Sequence, residues 1–390
     1  MELIYLDNNA TTKIDDQVFE AMLPFLRESY GNASSIQHQL GRASQTAVEH
    51  ARSQVATCLG ATEKEIIFTS GATESINMVL RGITSAYKGK GNHIITCKTE
   101  HKAVLTTCRL LEKKGVKITY LPVNDQGEID LDNLKSAIQS DTILVCLMAA
   151  NNETGVLHPI SDIAKICQER DTLFFCDATQ LIGKSEINLT KIPIDILALS
   201  GHKIHGPKGV GALYIRRKRK PIQVPALISG GGQENDLRGG TLHVSGIVGL
   251  GKAMEIASFP PHISHYRDYL EQQLLDHIPA IIIHGSAAPR LGNTSSITFR
   301  HIKASEIMVA MPQLALSAGS ACSAGLRDPS HVLKAMHLHD EDAFSTIRIS
   351  LSRYTTKQEI EKTAQLLIQV VAQLRANSPI WQLYEQGLIT

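Results

Sequence analysis

The chain has 390 residues, of which 43% are hydrophobic and 20% are charged, a composition typical of a soluble globular protein with a large core. Its 39 Lys and Arg residues nearly balance 38 Asp and Glu residues, and the formal net charge of +1 provides no global field for nucleic acid or an anionic membrane. We therefore expect neither a stable nucleic-acid partner nor a membrane partner.

The N-terminal residues and the cysteine pattern bear on the cell compartment. The first apolar run is short and interrupted by acids, which argues against a secretory signal, and no apolar stretch is long enough to span a bilayer. The seven cysteines form no C-x-x-C pair, so neither a disulfide framework nor a sequence-local zinc site is indicated. We expect a cytoplasmic protein without a resident metal.

Short apolar strands alternate with amphipathic helical patterns along most of the chain. The predicted strands cover residues 65–69, 93–96, 117–121, 142–147, 172–176, 194–199 and 210–215. This alternation predicts an α/β fold with a largely parallel sheet covered on both faces, and ligands then gather beyond the carboxyl ends of the strands. Two prolines at 260–261 predict a domain boundary, followed by a smaller α+β unit.

The first strand end carries an anion-binding pattern. Residues 70–75 read Ser-Gly-Ala-Thr-Glu-Ser, in which the glycine allows a tight turn, and Thr73 and the backbone N–H groups open a helix predicted over residues 76–83. Backbone N–H groups at a helix N-terminus favour an anion such as phosphate. An ordinary N-cap is the alternative interpretation.

Three further strand ends carry His101, Asn152 and Asp177. An acid directly after a buried strand is costly unless it faces a cation such as a protonated pyridine nitrogen, and capping of the next turn is the alternative for Asp177. His101 suits stacking on an aromatic cofactor or proton transfer, with a structural role as the alternative. Asn152 is a candidate polar contact or a turn residue.

The last strand end, at residues 200–209, places Lys203 in a glycine-rich loop. Flanking apolar strands are expected to desolvate the amine and lower its pKa, so that the neutral form can react with an aldehyde such as pyridoxal phosphate. The pattern does not fit a nucleotide-binding loop, because Pro207 interrupts the Gly-Lys pair and Gly209 replaces the residue that would bind Mg²⁺.

Together these motifs resemble the NifS/IscS-type cysteine desulfurases, within the class V aminotransferase group of fold-type-I pyridoxal phosphate enzymes. The resemblance covers nearly the whole chain and includes residues 5–12, 30–35, 230–241, 317–323 and 348–356. It implies a large domain over residues 15–258 with a mainly parallel seven-stranded sheet. A small domain would combine residues 1–14 and 259–390 and carry a cysteine loop at about 316–330.

The resemblance also implies roles for the strand-end residues. Lys203 resembles the lysine that carries pyridoxal 5'-phosphate and moves protons at the substrate, Asp177 the partner of the pyridine nitrogen, and His101 the stacking acid or base. The remaining implied cofactor-binding residues are Asn152 and Gln180 at the ring, Ala72, Thr73, Ser200, Gly201 and His202 at the phosphate, and Thr241 at the phosphate of the other subunit. That last role requires a homodimer.

The implied substrate is L-cysteine. Its carboxylate would be bound by Arg348 with Asn32 as a helper, and Arg353 is the second candidate for the clamp. Cys322 resembles the residue that takes the sulfur as a persulfide while alanine leaves. The persulfide would pass to an acceptor protein such as an iron–sulfur scaffold or a tRNA-thiolation relay. No metal site is implied, although a transient role of Cys322 as an iron–sulfur ligand stays open.

Three alternatives are weighed against this interpretation. A selenocysteine lyase or a class V aminotransferase would share the fold, but the aminotransferase would not need Cys322. A non-catalytic sulfur-relay or scaffold subunit would be free to lose Lys203, Asp177 or Cys322, and all three are present.

Overall fold

The computed structural model describes residues 3–318 and 328–388. Its strands are β1 (Ile4–Tyr5), β2 (Ile66–Thr69), β3 (His93–Cys97), β4 (Lys117–Leu121), β5 (Thr142–Met148), β6 (Leu173–Asp177), β7 (Ile196–Ser200), β8 (Gly211–Ile215), β9 (Ile281–Ile283), β10 (Thr294–Phe299), β11 (Leu314–Ala315), β12 (Ser317–Ala318) and β13 (Thr346–Ser350). Its α-helices are α1 (Asp16–Arg27), α2 (Gln39–Leu59), α3 (Ala72–Ala86), α4 (Lys102–Glu112), α5 (Leu131–Ala137), α6 (Ile160–Glu169), α7 (Val244–Glu255), α8 (Pro261–His277), α9 (Ala304–Ala310), α10 (His331–Ala335), α11 (Asp340–Phe344), α12 (Lys357–Ala376) and α13 (Pro379–Glu385).

A seven-stranded sheet forms the centre of the large unit, in the order β2-β8-β7-β6-β5-β3-β4. Strands β3 to β7 are parallel to one another. Strand β8 lies between β7 and β2 and is antiparallel to both. The predicted α/β class and the mainly parallel sheet are therefore confirmed. Every residue of β3, β5 and β7 is buried, as expected for strands covered on both faces.

Alternate residues of the central strands enter two different hydrophobic cores. On β5, for example, Val145 and Leu147 join one core, while Leu144 and Cys146 join the other. Because successive side chains of a strand point to opposite faces, the two cores lie on opposite sides of the sheet. Helices α2, α6 and α7 contribute to the first core, and helices α3 and α4 contribute to the second.

The C-terminal part builds a smaller antiparallel sheet in the order β12-β13-β10-β9. Helices α8, α9 and α12 pack on it around a third hydrophobic core, which Ile4 and Leu6 join from the N-terminal segment. Strand β1 pairs in parallel with β11, so this segment starts in the smaller unit. A separate core of this kind supports the proposed division of the chain at residue 258. None of the helices in the described ranges has the length and apolar character needed to span a membrane.

A buried ion pair connects the segment after β13 with the first helix. Asp15, the N-cap of α1, accepts hydrogen bonds from Arg353 Nη2, from Tyr354 Oη and, at 2.7 Å, from the backbone N–H of Gln17. Arg353 also donates to the carbonyl oxygen of Ile256 at 2.9 Å. These contacts give Arg353 a structural explanation and favour Arg348 as the substrate clamp.

We expect Arg353→Leu to lower the free energy of unfolding by about 3 kcal/mol, because the substitution leaves the buried Asp15 carboxylate without its cation. Chemical denaturation of the purified variant measures this change. The matched control is Lys13→Met, which breaks the exposed Lys13–Asp16 pair and is expected to change stability by less than about 0.5 kcal/mol. Equal effects of the two substitutions would contradict a structural role for Arg353.

Candidate active site

A cavity of about 690 Å³ opens at the carboxyl ends of β5, β6 and β7 and at the N-terminus of α3. This volume suits a small molecule or a cofactor. The cavity is lined by ten of the residues singled out from the sequence: Ala72, Thr73, His101, Asn152, Asp177, Gln180, Ser200, His202, Lys203 and Arg348. The structure therefore brings together residues that are more than 250 positions apart in the chain.

Three predicted site residues in the described ranges do not line the cavity. Gly201 follows Ser200 in the chain and is buried. An added Cβ at Gly201 would lie 3.0 Å from the carbonyl oxygen of Pro207. Asn32 is exposed, and its Oδ1 accepts from the backbone N–H of Ser34 at 2.9 Å. Thr241 is also exposed, and Cys322 lies outside the described residues.

Lys203 follows β7 in a short 3-10 turn, and its side chain enters the cavity. Its Nζ donates to the carbonyl oxygens of Asn9 and Ala10 at 2.6 and 2.7 Å. Burial, reinforced by the nearby Arg348 guanidinium, lowers the pKa of Lys203 to about 8. About a tenth of the amine is then neutral at pH 7, far more than for an exposed lysine.

Asp177 ends β6 and is only 5% exposed. Its Oδ1 accepts from the backbone N–H of Thr179 at 3.0 Å, so the turn-capping interpretation is also realised. Among the described residues its carboxylate belongs to none of the ion pairs. A buried carboxylate without a cationic partner is costly, and a cationic ring nitrogen would relieve that cost.

The opposite end of the cavity has the features of a phosphate site. Gly71, the N-cap of α3, has φ 145° and ψ 179°, a conformation that only glycine adopts without strain. No side chain caps this helix, so its first N–H groups are available to an anion. Ser200 and His202 face the same space, and burial together with Lys203 lowers the pKa of His202 to about 4, so its ring is neutral at pH 7.

One acid lies close to this anion site and carries its own counter-ion. Glu74, in the first turn of α3, accepts from the backbone N–H of Ser70 at 2.9 Å and from Arg238 Nε at 3.0 Å. Burial alone would raise the pKa of Glu74, but these hydrogen bonds outweigh it and lower the pKa. Arg238 therefore neutralises the carboxylate, and the helix N-terminus stays attractive to a second anion.

His101 precedes α4 and caps it, since its Nδ1 accepts from the backbone N–H of Ala103 at 3.1 Å. The structural interpretation of His101 is therefore realised, and because the same ring lines the cavity, its role at a cofactor stays a prediction. In the neutral ring the proton is then on Nε2. Partial burial lowers the pKa of His101; Asp177 opposes this effect and Lys203 adds to it.

Arg348 lies on β13 opposite Ser317 of β12, where both residues reach the cavity wall. Its Nη2 donates to Asp7 Oδ1 at 2.6 Å and its Nη1 to the carbonyl oxygen of Asn152 at 2.9 Å. The buried Nε finds no hydrogen-bond partner in the part of the chain that the structure describes. A guanidinium fixed in this way has donor capacity left for a substrate carboxylate.

Three residues that sequence reasoning missed also contribute to the site. The carbonyl oxygen of Asn9 accepts a hydrogen bond from Lys203 Nζ, and Asn9 Oδ1 accepts one from Lys184 Nζ at 3.0 Å. Glu153 lines the cavity and accepts from Ser330 Oγ at 2.5 Å, and burial raises its pKa to about 7. The available signals were weak: Asn9 follows a short strand, and Glu153 is adjacent to Asn152.

Comparisons with known proteins show the family to which the chain belongs. Residues 4–363 match the family model described as aminotransferase class-V. The chain is 45% identical to the cysteine desulfurase IscS of Mannheimia succiniciproducens, over 99% of this chain and 96% of the relative. It is 46% identical to the cysteine desulfurase IscS of Haemophilus influenzae, with the same coverage.

Solved structures give the same picture. A structure titled NIFS-like protein superposes with a TM-score of 0.87 at 38% identity, covering 95% of this chain and 99% of that chain. A structure titled SspA in complex with cysteine gives a TM-score of 0.81 at 38% identity, covering 90% of this chain and 99% of that chain.

The chain belongs to the class-V aminotransferase family, a family of pyridoxal-phosphate-dependent enzymes. Within that family it belongs to the NifS/IscS-type cysteine desulfurases. The residues of the cavity fit the cofactor: a lysine with a lowered pKa, a buried carboxylate without a cation, and an uncapped helix N-terminus.

We expect the apo-protein to capture pyridoxal phosphate through Lys203 at a rate that rises with pH and levels off above about pH 8. The neutral amine is the nucleophile, and its fraction saturates above the pKa of about 8, whereas exposed lysines of ordinary pKa keep gaining reactivity to beyond pH 10. Borohydride trapping at each pH, followed by mass analysis of the peptide that contains residue 203, measures the rate. A trapping rate at this peptide that still rises at pH 10 would show that the pKa of Lys203 is not lowered.

Proposed function

We propose that this chain converts L-cysteine into L-alanine and keeps the sulfur as a persulfide on Cys322. The observation that carries the proposal is the shared cavity of Lys203, Asp177 and Arg348, which supplies a reactive amine, a site for a ring cation and a site for a carboxylate. The family membership adds the reaction type.

The cavity residues divide between the parts of the cofactor, which supplies an electron sink for reactions at the substrate Cα. In this proposal Lys203 attaches the cofactor, Asp177 faces its ring nitrogen, and His101 stacks on the ring. The other assignments place Asn152 and Gln180 at the ring edge, and Thr73, Ser200, His202 and the backbone at Ala72 and Gly201 around the phosphate. The uncapped N-terminus of α3 supports the phosphate assignment.

Arg348 binds the substrate carboxylate in this proposal, and Asn32 stays a proposed helper although its side chain is exposed in the single chain. Once displaced from the cofactor, the Lys203 amine would accept the proton from the substrate Cα and pass a proton to the cofactor carbon. The pKa of about 8 makes both transfers accessible near neutral pH.

The sulfur step is assigned to Cys322. Its thiolate attacks the substrate sulfur, so that an S–S bond forms while the Cβ–S bond breaks. The electron pair of the broken bond stays with carbon, which takes up a proton, and the product leaves as alanine. Strand β12 ends at Ala318 on the cavity wall, four residues before Cys322, which supports this assignment.

We expect Cys322→Ala to keep the absorption of the bound cofactor but to lose alanine and sulfide formation from L-cysteine by about 100-fold, because the sulfur has no acceptor. Wild type should release both products in equal amounts when excess reductant is present. Both products are quantified after addition of L-cysteine, and Cys58→Ala is the control, since Cys58 is an exposed free cysteine outside the cavity.

A Cys322→Ala protein that matches wild type would remove the carrier assignment. If the wild type acts on L-selenocysteine but not on L-cysteine, the selenocysteine lyase alternative is favoured. If it transaminates without releasing sulfide, the aminotransferase alternative is favoured.

We also propose a homodimer in which Thr241 reaches the cofactor phosphate of the partner subunit. Thr241 is exposed, yet the segment before it is firmly held. Glu234 forms a buried ion pair with Arg52 at 2.7 Å, and Arg238 binds Glu74 on the helix that opens the phosphate site. An exposed hydroxyl on an anchored segment suits a contact with a second copy of the chain.

Hybrid dimers test the placement of Thr241. Lys203→Ala and Thr241→Val subunits with different tags are co-expressed, and the hybrid is isolated through both tags. If Thr241 serves the partner, the site with an intact Lys203 also receives an intact Thr241, and the hybrid has about half the wild-type activity. A hybrid with no more activity per dimer than the Thr241→Val parent would place Thr241 in its own subunit.

The sulfur acceptor is proposed to be a protein such as an iron–sulfur scaffold or a tRNA-thiolation relay, with Cys322 as a transient cluster ligand during transfer. We propose that the enzyme acts in the cytoplasm. The six cysteines in the described ranges are all free, which suits a reducing compartment.

A further inference from the structure

A hydrogen-bond network centred on Lys184 lies beneath the cavity. Lys184 follows Gln180 by four residues, and its Nζ donates to Gln180 Oε1 at 2.7 Å and to Asn9 Oδ1 at 3.0 Å. Within residues 3–318 and 328–388 it forms no ion pair with a carboxylate. This amino group therefore binds two side-chain amides.

The two contacts of Lys184 set the orientation of the Gln180 amide. Because Nζ donates, Gln180 presents its oxygen to Lys184, and its Nε2 is directed away from it. Nε2 donates to the carbonyl oxygen of Asn9 at 3.0 Å. A flipped amide would place its NH₂ group against the N–H groups of Lys184 and lose both hydrogen bonds.

The same argument applies to Asn9. Its Oδ1 accepts from Lys184 and, at 3.1 Å, from Asn293 Nδ2, so its Nδ2 faces Thr294 Oγ1 at 2.8 Å. The carbonyl oxygen of Asn9 then receives Lys203 Nζ at 2.6 Å. Lys184 thus helps to fix the backbone oxygen that holds the reactive amine.

The surroundings of Lys184 make a purely stabilising role a poor explanation. Enclosure of the amino group lowers its pKa well below the usual value, and the charges of Lys203 and Arg348 act in the same direction. Burying an amino group among amides and other cations costs free energy that an apolar side chain of similar length would not cost.

We propose that Lys184 is a positioning residue for the cofactor site. By holding Gln180 Oε1 it keeps Gln180 Nε2 on the carbonyl oxygen of Asn9 at the cavity wall, and through the Asn9 side chain it helps to fix the same carbonyl oxygen, which receives Lys203. This inference rests on the proposed role of Gln180 and adds the residue that orients it.

A double-mutant cycle with Lys184→Met, Gln180→Leu and the double variant tests the proposal. The readouts are the dissociation constant of pyridoxal phosphate from the apo-protein and the absorption maximum of the loaded protein. Lys184→Met is expected to weaken binding about tenfold and to shift the maximum in the same direction as Gln180→Leu. The double variant should lose less affinity than the sum of the two single losses, because Lys184 acts in part through Gln180.

The exposed Lys191→Met is the matched control and should behave as wild type in both readouts. If Lys184→Met does not fold, Lys184→Gln, whose side chain is too short to hold both amides, enters the same cycle. Additive effects of the two substitutions, or a Lys184 variant with wild-type affinity and absorption, would overturn the proposal. A Gln180→Leu protein that binds the cofactor as wild type does would instead remove the role of Gln180 itself.

Discussion

Two backbone carbonyl oxygens hold the Lys203 amine, and both belong to the N-terminal segment. That segment begins in the smaller unit, where β1 pairs with β11, and it reaches the cavity through Asp7, which binds Arg348. The reactive amine and the proposed substrate clamp are therefore positioned by the same few residues. The site exists only where the two units are correctly joined, so the junction belongs to the catalytic architecture and not only to the scaffold.

Two acids of the structure have a protein cation as partner, whereas two features proposed to bind the cofactor lack a protein partner of that kind. Glu74 is neutralised by Arg238 and Asp15 by Arg353. Asp177 lacks such a cation among the described residues, and the N-terminus of α3 lacks a side-chain cap. The difference separates structural charges from ligand-binding ones more clearly than burial alone does, since Asp15 and Asp177 are about equally buried.

The sequence predicted the strand-end residues because a parallel sheet brings the carboxyl ends of its strands to one edge. Lys203, Asp177 and His101 could be found in this way, and the seven-stranded sheet confirms that placement. Asn9 and Lys184 could not be found, because their role depends on side-chain contacts over more than 170 positions of sequence. Thr241 is the opposite case: family resemblance assigns it to the site, but the single chain leaves it on the surface.

The buried carboxylate of Asp177, which has no cationic partner among the described residues, has a consequence for the amount of enzyme in a cell. Its burial is costly in the apo-protein, and a ligand that binds only the native state raises the stability of that state with its free concentration. Newly made chains that meet little pyridoxal phosphate stay nearer to the unfolded state and are more open to proteases. The supply of pyridoxal phosphate would then affect the abundance of the enzyme as well as its occupancy.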